Sequence, residues 1–118
     1  MGRFAGSDPD KIIALMYKIR TIIADRVPIT RSFIKHYTEE VDDLTWDFSL
    51  LPELCTLYSG YMELDGFLFK RMKKVERHPD KMPEILSEAD MKYIASKTEV
   101  LRKLEDLLLK NNLCLYHI

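Results

Sequence analysis

Leu54, Leu57, Tyr58, Tyr61, Leu64, Leu68, Met72 and Val75 recur at three- and four-residue steps without interruption. That spacing collects all eight side chains on one side of an α-helix and on no single face of a strand. Pro52 opens the segment, where its missing N–H is harmless in a first turn. The basic run from Lys70 to His78 closes it, so the stripe predicts one helix roughly 35 Å long. Gly60 and Gly66 lie inside, each about 1 kcal/mol worse than alanine in a helix. Close approach of another helix is the expected compensation, with a kink or break near Gly66 as the other outcome.

The same period organises the rest of the chain. Asp8-Pro9 reads as an N-cap followed by proline in the first turn. Ile12, Leu15, Met16, Ile19, Ile22 and Ile23 then form a stripe, with Lys18, Arg20 and Arg26 expected in solvent. Val27-Pro28 is predicted to end this helix, because the residue before proline disfavours helical dihedrals. Thr30 is the expected N-cap of a second helix, with Ile29 and Ile34 as a hydrophobic staple. Phe33, Ile34, Tyr37, Val41 and Leu44 would form its apolar face, and the first two helices a hairpin.

In that second helix Arg31 and Lys35 stand at the start and Glu39, Glu40, Asp42 and Asp43 at the end, opposite to what the helix dipole favours. Salt bridges from neighbouring helices or a surface made for a partner would each account for it. Trp46 to Leu51 reads as a connection with its apolar groups tucked inward. Pro79-Asp80 and Pro83 bound a loop, with one helical turn expected at Glu84 to Leu86.

Ser87-Glu88-Ala89-Asp90 resembles a capping box with Asp in the Glu/Gln position, and Leu86 and Met91 occupy staple positions. Met91, Ile94, Leu101, Leu104 and Leu108 then line the last helix. Its mixed face of Lys92, Lys97, Glu99, Arg102, Lys103, Glu105 and Asp106 is expected in solvent. The apolar end from Leu113 to Ile118 is expected to pack on the bundle or on a neighbouring subunit. No segment alternates with period two. The expected fold is all-α, a compact bundle of four or five helices forming one domain over 8–118, with 1–7 a flexible leader or expression remnant.

A chain of 118 residues is long enough to bury a real core. Its net charge of −1 provides no overall field for nucleic acid or an acidic membrane. Distribution matters more. No Lys or Arg falls between Lys35 and Lys70, whereas Glu39, Glu40, Asp42, Asp43, Asp47, Glu53, Glu63 and Asp65 all do, so an acidic middle is flanked by basic segments. Cys55 and Cys114 fit no C-x-x-C pattern and are expected as small buried hydrophobes in a reducing compartment. Gly2 opens like a myristoylation signal, but Gly6 stands where Ser or Thr is needed. With no signal-peptide run and no apolar run long enough for a bilayer, a cytoplasmic protein without membrane contact is expected.

Catalytic and cofactor motifs are missing: there is no phosphate-cradling glycine loop, no H-E-x-x-H and no G-x-S-x-G. His36 with Glu39 or Glu40 is the nearest approach to a metal site, and Glu39 with Asp43 the nearest to an acid/base pair. Both are better read as solvated faces, so no enzyme, metal or cofactor is expected. The tyrosines lie mostly on helical stripes, which favours core packing over base stacking. The run Lys70-Arg71-Met72-Lys73-Lys74-Val75-Glu76-Arg77-His78 has two readings. Its cations complement a helix C-terminus, or they face phosphates.

Thr30-Arg31-Ser32-Phe33-Ile34-Lys35-His36-Tyr37, followed by Glu40-Val41, resembles one family, the small subunit of type III-A CRISPR effector (Csm) complexes. The family pattern is Thr-x-Ser-Gln-Ile-Arg, then an aromatic, then an acid and Val. Thr30, Ser32, Ile34, Tyr37, Glu40 and Val41 fit it, while Phe33 replaces the Gln and Lys35 the Arg. Tyr116-His117 matches the family's Tyr-His ending, although Asn111 and Asn112 stand where an acid and an alanine are usual.

The resemblance implies a non-catalytic subunit, present in several copies beside other Cas subunits, lining the path of guide RNA and target RNA. Lys35 is the residue it carries over. Adjoining Arg31, with Lys70, Arg71, Lys73, Lys74 and Arg77 added from their charge, completes the expected RNA-binding set. These cations would contact phosphates without reading sequence, and Lys in place of Arg keeps the charge but loses the bidentate fork. The alternative is a helical protein–protein interaction or oligomerisation module without nucleic-acid binding, in which the acidic middle meets a basic patch on a partner or a second copy.

Overall fold

The computed structural model describes residues 9–35, 38, 50–81 and 87–110, and for 9–12 the backbone alone. Its elements are α1 (Pro9–Lys35), α2 (Leu51–Arg77), a 3₁₀ turn at Pro79–Lys81 and α3 (Glu88–Lys110). The described residues form three α-helices and no strand, so the fold is all-helical, and the expected count of four or five helices extends to residues outside those described. Arg20 of α1 pairs with Asp65 of α2, and further along α1, Arg31 bonds Tyr58. The partner numbers fall as α1 advances, so the two helices are antiparallel. Tyr61 to Glu105 and Arg71 to Asp90 show the same relation between α2 and α3. α2 is therefore the shared centre, with α1 and α3 running parallel to each other on its flanks.

The central helix buries Leu54, Leu57, Gly60, Tyr61, Leu64, Leu68, Met72 and Val75, which is the predicted stripe with Tyr58 left half-exposed and Gly60 added. From α1 the core takes Met16, Ile23, Thr30 and Phe33, and from α3 Ile94, Leu101 and Leu108. Met16–Ile23–Thr30 and Ile94–Leu101–Leu108 are each spaced by seven, the repeat that keeps one seam of a helix on its partner. Leu15 and Ile22 sit one residue off that line and stand exposed, contrary to the expected stripe. Cys55 is likewise exposed rather than buried, because it lies about 100° around α2 from Leu54.

The largest departure is at Pro28. The chain does not turn there, and α1 passes through it. Proline removes the bond to the carbonyl of residue 24 and presses its ring on it. Both Pro28 and Ala24 are exposed, so the released carbonyl lies on the solvent side of α1, where losing a helical bond costs least. The buried residues Ile23, Thr30 and Phe33 on either side then hold one continuous helix against α2. Thr30 is consequently no N-cap but a core residue, 2% exposed, and Ile29 and Ile34 pack against the core as helix-interior residues.

Of the two glycines of α2, only Gly60 makes the expected close approach to another helix. A Cβ at Gly60 would stand 2.6 Å from Leu101 Cδ2, so its absence admits α3. At Gly66 a Cβ would meet nothing within 4 Å, and α2 continues through it without a break.

The capping box forms as expected. The Asp90 N–H donates to Ser87 Oγ at 3.1 Å, and the Ser87 N–H donates to Asp90 Oδ2 at 3.3 Å. The expected turn at Glu84 to Leu86, the staple residue Leu86, the acidic residues Glu39 to Asp47, Trp46, Cys114 and the apolar end from Leu113 lie outside the described residues.

Candidate nucleic-acid interface

A helix advances about 100° and 1.5 Å per residue. Lys70, Lys73, Lys74 and Arg77 therefore share an arc of about 100° on the last turns of α2, and all four are exposed. Lys73 makes a loose pair with Glu76 at 3.6 Å. Among the described residues no ion pair engages Lys70, Lys74 or Arg77, and exposed Lys81 extends the cluster from the following 3₁₀ turn. The His78 N–H donates to the Lys74 carbonyl at 3.0 Å, closing the helix with its cations in the last turn.

Arg71 leaves this set. It points around the helix to α3, where its guanidinium binds both Asp90 oxygens at 3.1 and 3.3 Å and lies 4.8 Å over the Phe67 ring. Phe67 also packs on Tyr93, with centroids 4.6 Å apart. Arg71 thus ties the capping box of α3 to α2, and its expected phosphate role competes with a structural one.

Arg31 and Lys35 lie elsewhere. The Arg31 guanidinium donates to the Tyr58 hydroxyl at 2.9 Å and covers its ring at 5.6 Å. From Tyr58, Lys70 is about 18 Å and Arg77 about 28 Å further along α2. Lys35, exposed in the last turn of α1, is on the same far side as Arg31. The seven predicted residues therefore form two separate cationic ends and one structural pair, not one patch. Of the family-like positions, Thr30 is buried and Ile34 packs against the core, so both serve packing, while Tyr37, Glu40 and Val41 lie outside the described residues, as does His36 with its neighbouring carboxylates.

Two arginines expected in solvent are engaged. Arg26 pairs with Glu105 at 3.1 Å, and the Tyr61 hydroxyl donates to the same carboxylate. Burial, reinforced by that bond, pushes the Tyr61 hydroxyl well above its usual pKa. Arg20 pairs with Asp65 at 2.8 Å and lies 4.9 Å over the Phe69 ring. Lys73 approaches the same ring at 5.5 Å. Phe69 lies off the sequence-derived stripe, and no motif around it assigns it a role. It is 42% exposed. The only available signal is that Phe69 follows Leu68, which holds the buried line.

Comparison with protein-family models, with curated proteins and with solved structures finds no match. No described helix is long and apolar enough to cross a membrane.

Proposed function

We propose that this protein is a non-catalytic helical subunit that lies along RNA and contacts its phosphates without reading sequence. The setting is the one the resemblance to type III-A small subunits implies: guide RNA and target RNA in the cytoplasm, with other Cas subunits and further copies of this chain alongside. The observation that carries the reading is the arc of Lys70, Lys73, Lys74 and Arg77. Three of these four cations have no described acidic partner, although carboxylates outnumber cations in the chain as a whole. Such an arc suits a phosphate backbone, whose charges are regular and carry no base identity. Lys35 and Arg31 would serve as a second contact point about 20 to 30 Å away along the rod. No cofactor, metal or catalytic step is proposed.

The test is the salt dependence of RNA affinity. Lys70→Gln with Lys74→Gln and Arg77→Gln should weaken binding and reduce the slope of log K against log salt by roughly 0.7–0.9 per lost contact. An unchanged slope removes this site. A second reading, a protein interaction or oligomerisation module, is favoured by the exposed apolar residues Tyr17 and Met62 along the α1–α2 seam. Self-association that persists without RNA and leaves RNA binding undetectable would select it.

A further inference from the structure

Between α1 and α2 runs a groove with a volume of about 430 Å³, whose wall on α2 ends at Asp65, just over a turn before the cationic arc begins at Lys70. Tyr17, Arg20, Thr21, Pro28, Met62 and Asp65 are among its walls. The Arg20–Asp65 pair sets the register, and one turn from it Tyr17 on α1 and Phe69 on α2 stand level across the seam. Both rings are exposed, Tyr17 by 49% and Phe69 by 42%. Arg20 touches the Phe69 ring and also lines the groove, so ring and groove are continuous. The Phe69 ring carries only the cations Arg20 and Lys73, whereas half-buried Phe67 packs against a second ring, Tyr93, as well as Arg71.

Met62, Gly66, Phe69 and Lys73 follow one another at four- and three-residue steps along the solvent side of α2. Gly66 leaves a dent in that row, and no packing neighbour explains it. The dent lies between two exposed apolar side chains and directly beside Lys70 and Lys73.

Resting on the RNA reading above, the geometry points to a nucleobase site: an unpaired base of single-stranded RNA stacks on Phe69 over Gly66, at the basic end of the α1–α2 groove. Every base offers a flat face, so the contact is sequence-tolerant. Arg20, fixed by both Asp65 oxygens at 2.8 and 3.5 Å, stays on the ring. Lys73, in a loose pair with Glu76 at 3.6 Å and 5.5 Å from the ring, turns from the ring to the adjoining phosphate, with Lys70 next to it on the exposed face. The partner is then single-stranded RNA rather than a fully paired duplex, because a paired base keeps its faces within the stack.

Fluorescence anisotropy with a labelled oligouridylate and with a fully paired RNA duplex separates the possibilities. Phe69→Leu should weaken oligouridylate binding by about 5- to 150-fold, the range that base–aromatic stacking covers. Duplex affinity and the salt slope should stay as in the wild type. Gly66→Leu fills the dent from a Cβ that meets nothing within 4 Å and replaces glycine by a strong helix former, so it should raise thermal stability and yet weaken oligouridylate binding. Lys70→Gln with Lys74→Gln should weaken both RNAs and flatten both salt slopes. If Phe69→Leu and Gly66→Leu bind oligouridylate like the wild type while the lysine variant loses both RNAs, the base site is overturned and the phosphate reading stands. A wild-type protein that binds neither RNA overturns both.

Discussion

Gly60 and Gly66 occupy the same helix six residues apart, and the same substitution should move stability in opposite directions. Alanine gains about 1 kcal/mol over glycine in a helix interior at either position. At Gly66 the new methyl meets nothing within 4 Å, so the full gain is expected. At Gly60 the methyl arrives 2.6 Å from Leu101 Cδ2. Leu101 is 4% exposed in the seam between α2 and α3, so its retreat, into the cavity of about 220 Å³ that it lines, gives up packing contacts with α2. Overpacking of this kind costs about 1–3 kcal/mol. The net change for Gly60→Ala is therefore from about zero to a loss of about 2 kcal/mol, and the two variants should differ by about 1–3 kcal/mol.

Urea unfolding followed by far-UV circular dichroism measures this difference directly, provided the slopes agree. Leu101→Val supplies the control, because removing one methyl should cost less in the Gly60→Ala background than alone, by roughly 0.5 kcal/mol or more. Equal midpoints for the two alanine variants, with no coupling to Leu101, would refute the claim that Gly60 exists to admit α3.

Pro28→Ala should stabilise the fold by about 1–3 kcal/mol, since it restores a helical bond to Ala24 and removes the ring from the helix interior. A lower thermal midpoint would mean that the chain turns at Pro28 after all. The Glu63 carboxylate accepts bonds from Lys97 at 2.7 Å and from the Tyr93 hydroxyl at 2.8 Å, and these partners lower its pKa from 4.5. Its contribution is present above about pH 4.5 and is lost as pH falls through the lower folded value, because the unfolded chain takes up the proton first. The urea midpoint of Glu63→Gln should accordingly fall less than that of the wild type between about pH 5 and about pH 3. Parallel curves would show that the Lys97 and Tyr93 contacts do not persist in solution.

What was legible from sequence is what acts within one or two helical turns. The stripe from Leu54 to Val75, the capping box of Ser87 and Asp90, the line Ile94–Leu101–Leu108 and the all-helical class all follow from spacing and from side chains bonding nearby backbone. The close approach at Gly60 was also readable, since a glycine inside a strong helix pattern calls for a reason. Tertiary packing decided the rest, because the deciding partner lies far off in sequence. Arg20 and Asp65 are 45 residues apart, Tyr61 and Glu105 are 44 apart, and Arg71 and Asp90 are 19 apart, so no local pattern tells a paired cation from a free one. Local rules end a helix before Pro28, but buried contacts on both sides of it outweigh one lost bond on the solvent face. The same antiparallel packing of α1 on α2 parts Arg31 and Lys35 from Lys70 to Arg77 and sets Tyr17 level with Phe69. Periodicity places a side chain on a face of its own helix, and only the register between helices settles what that face meets.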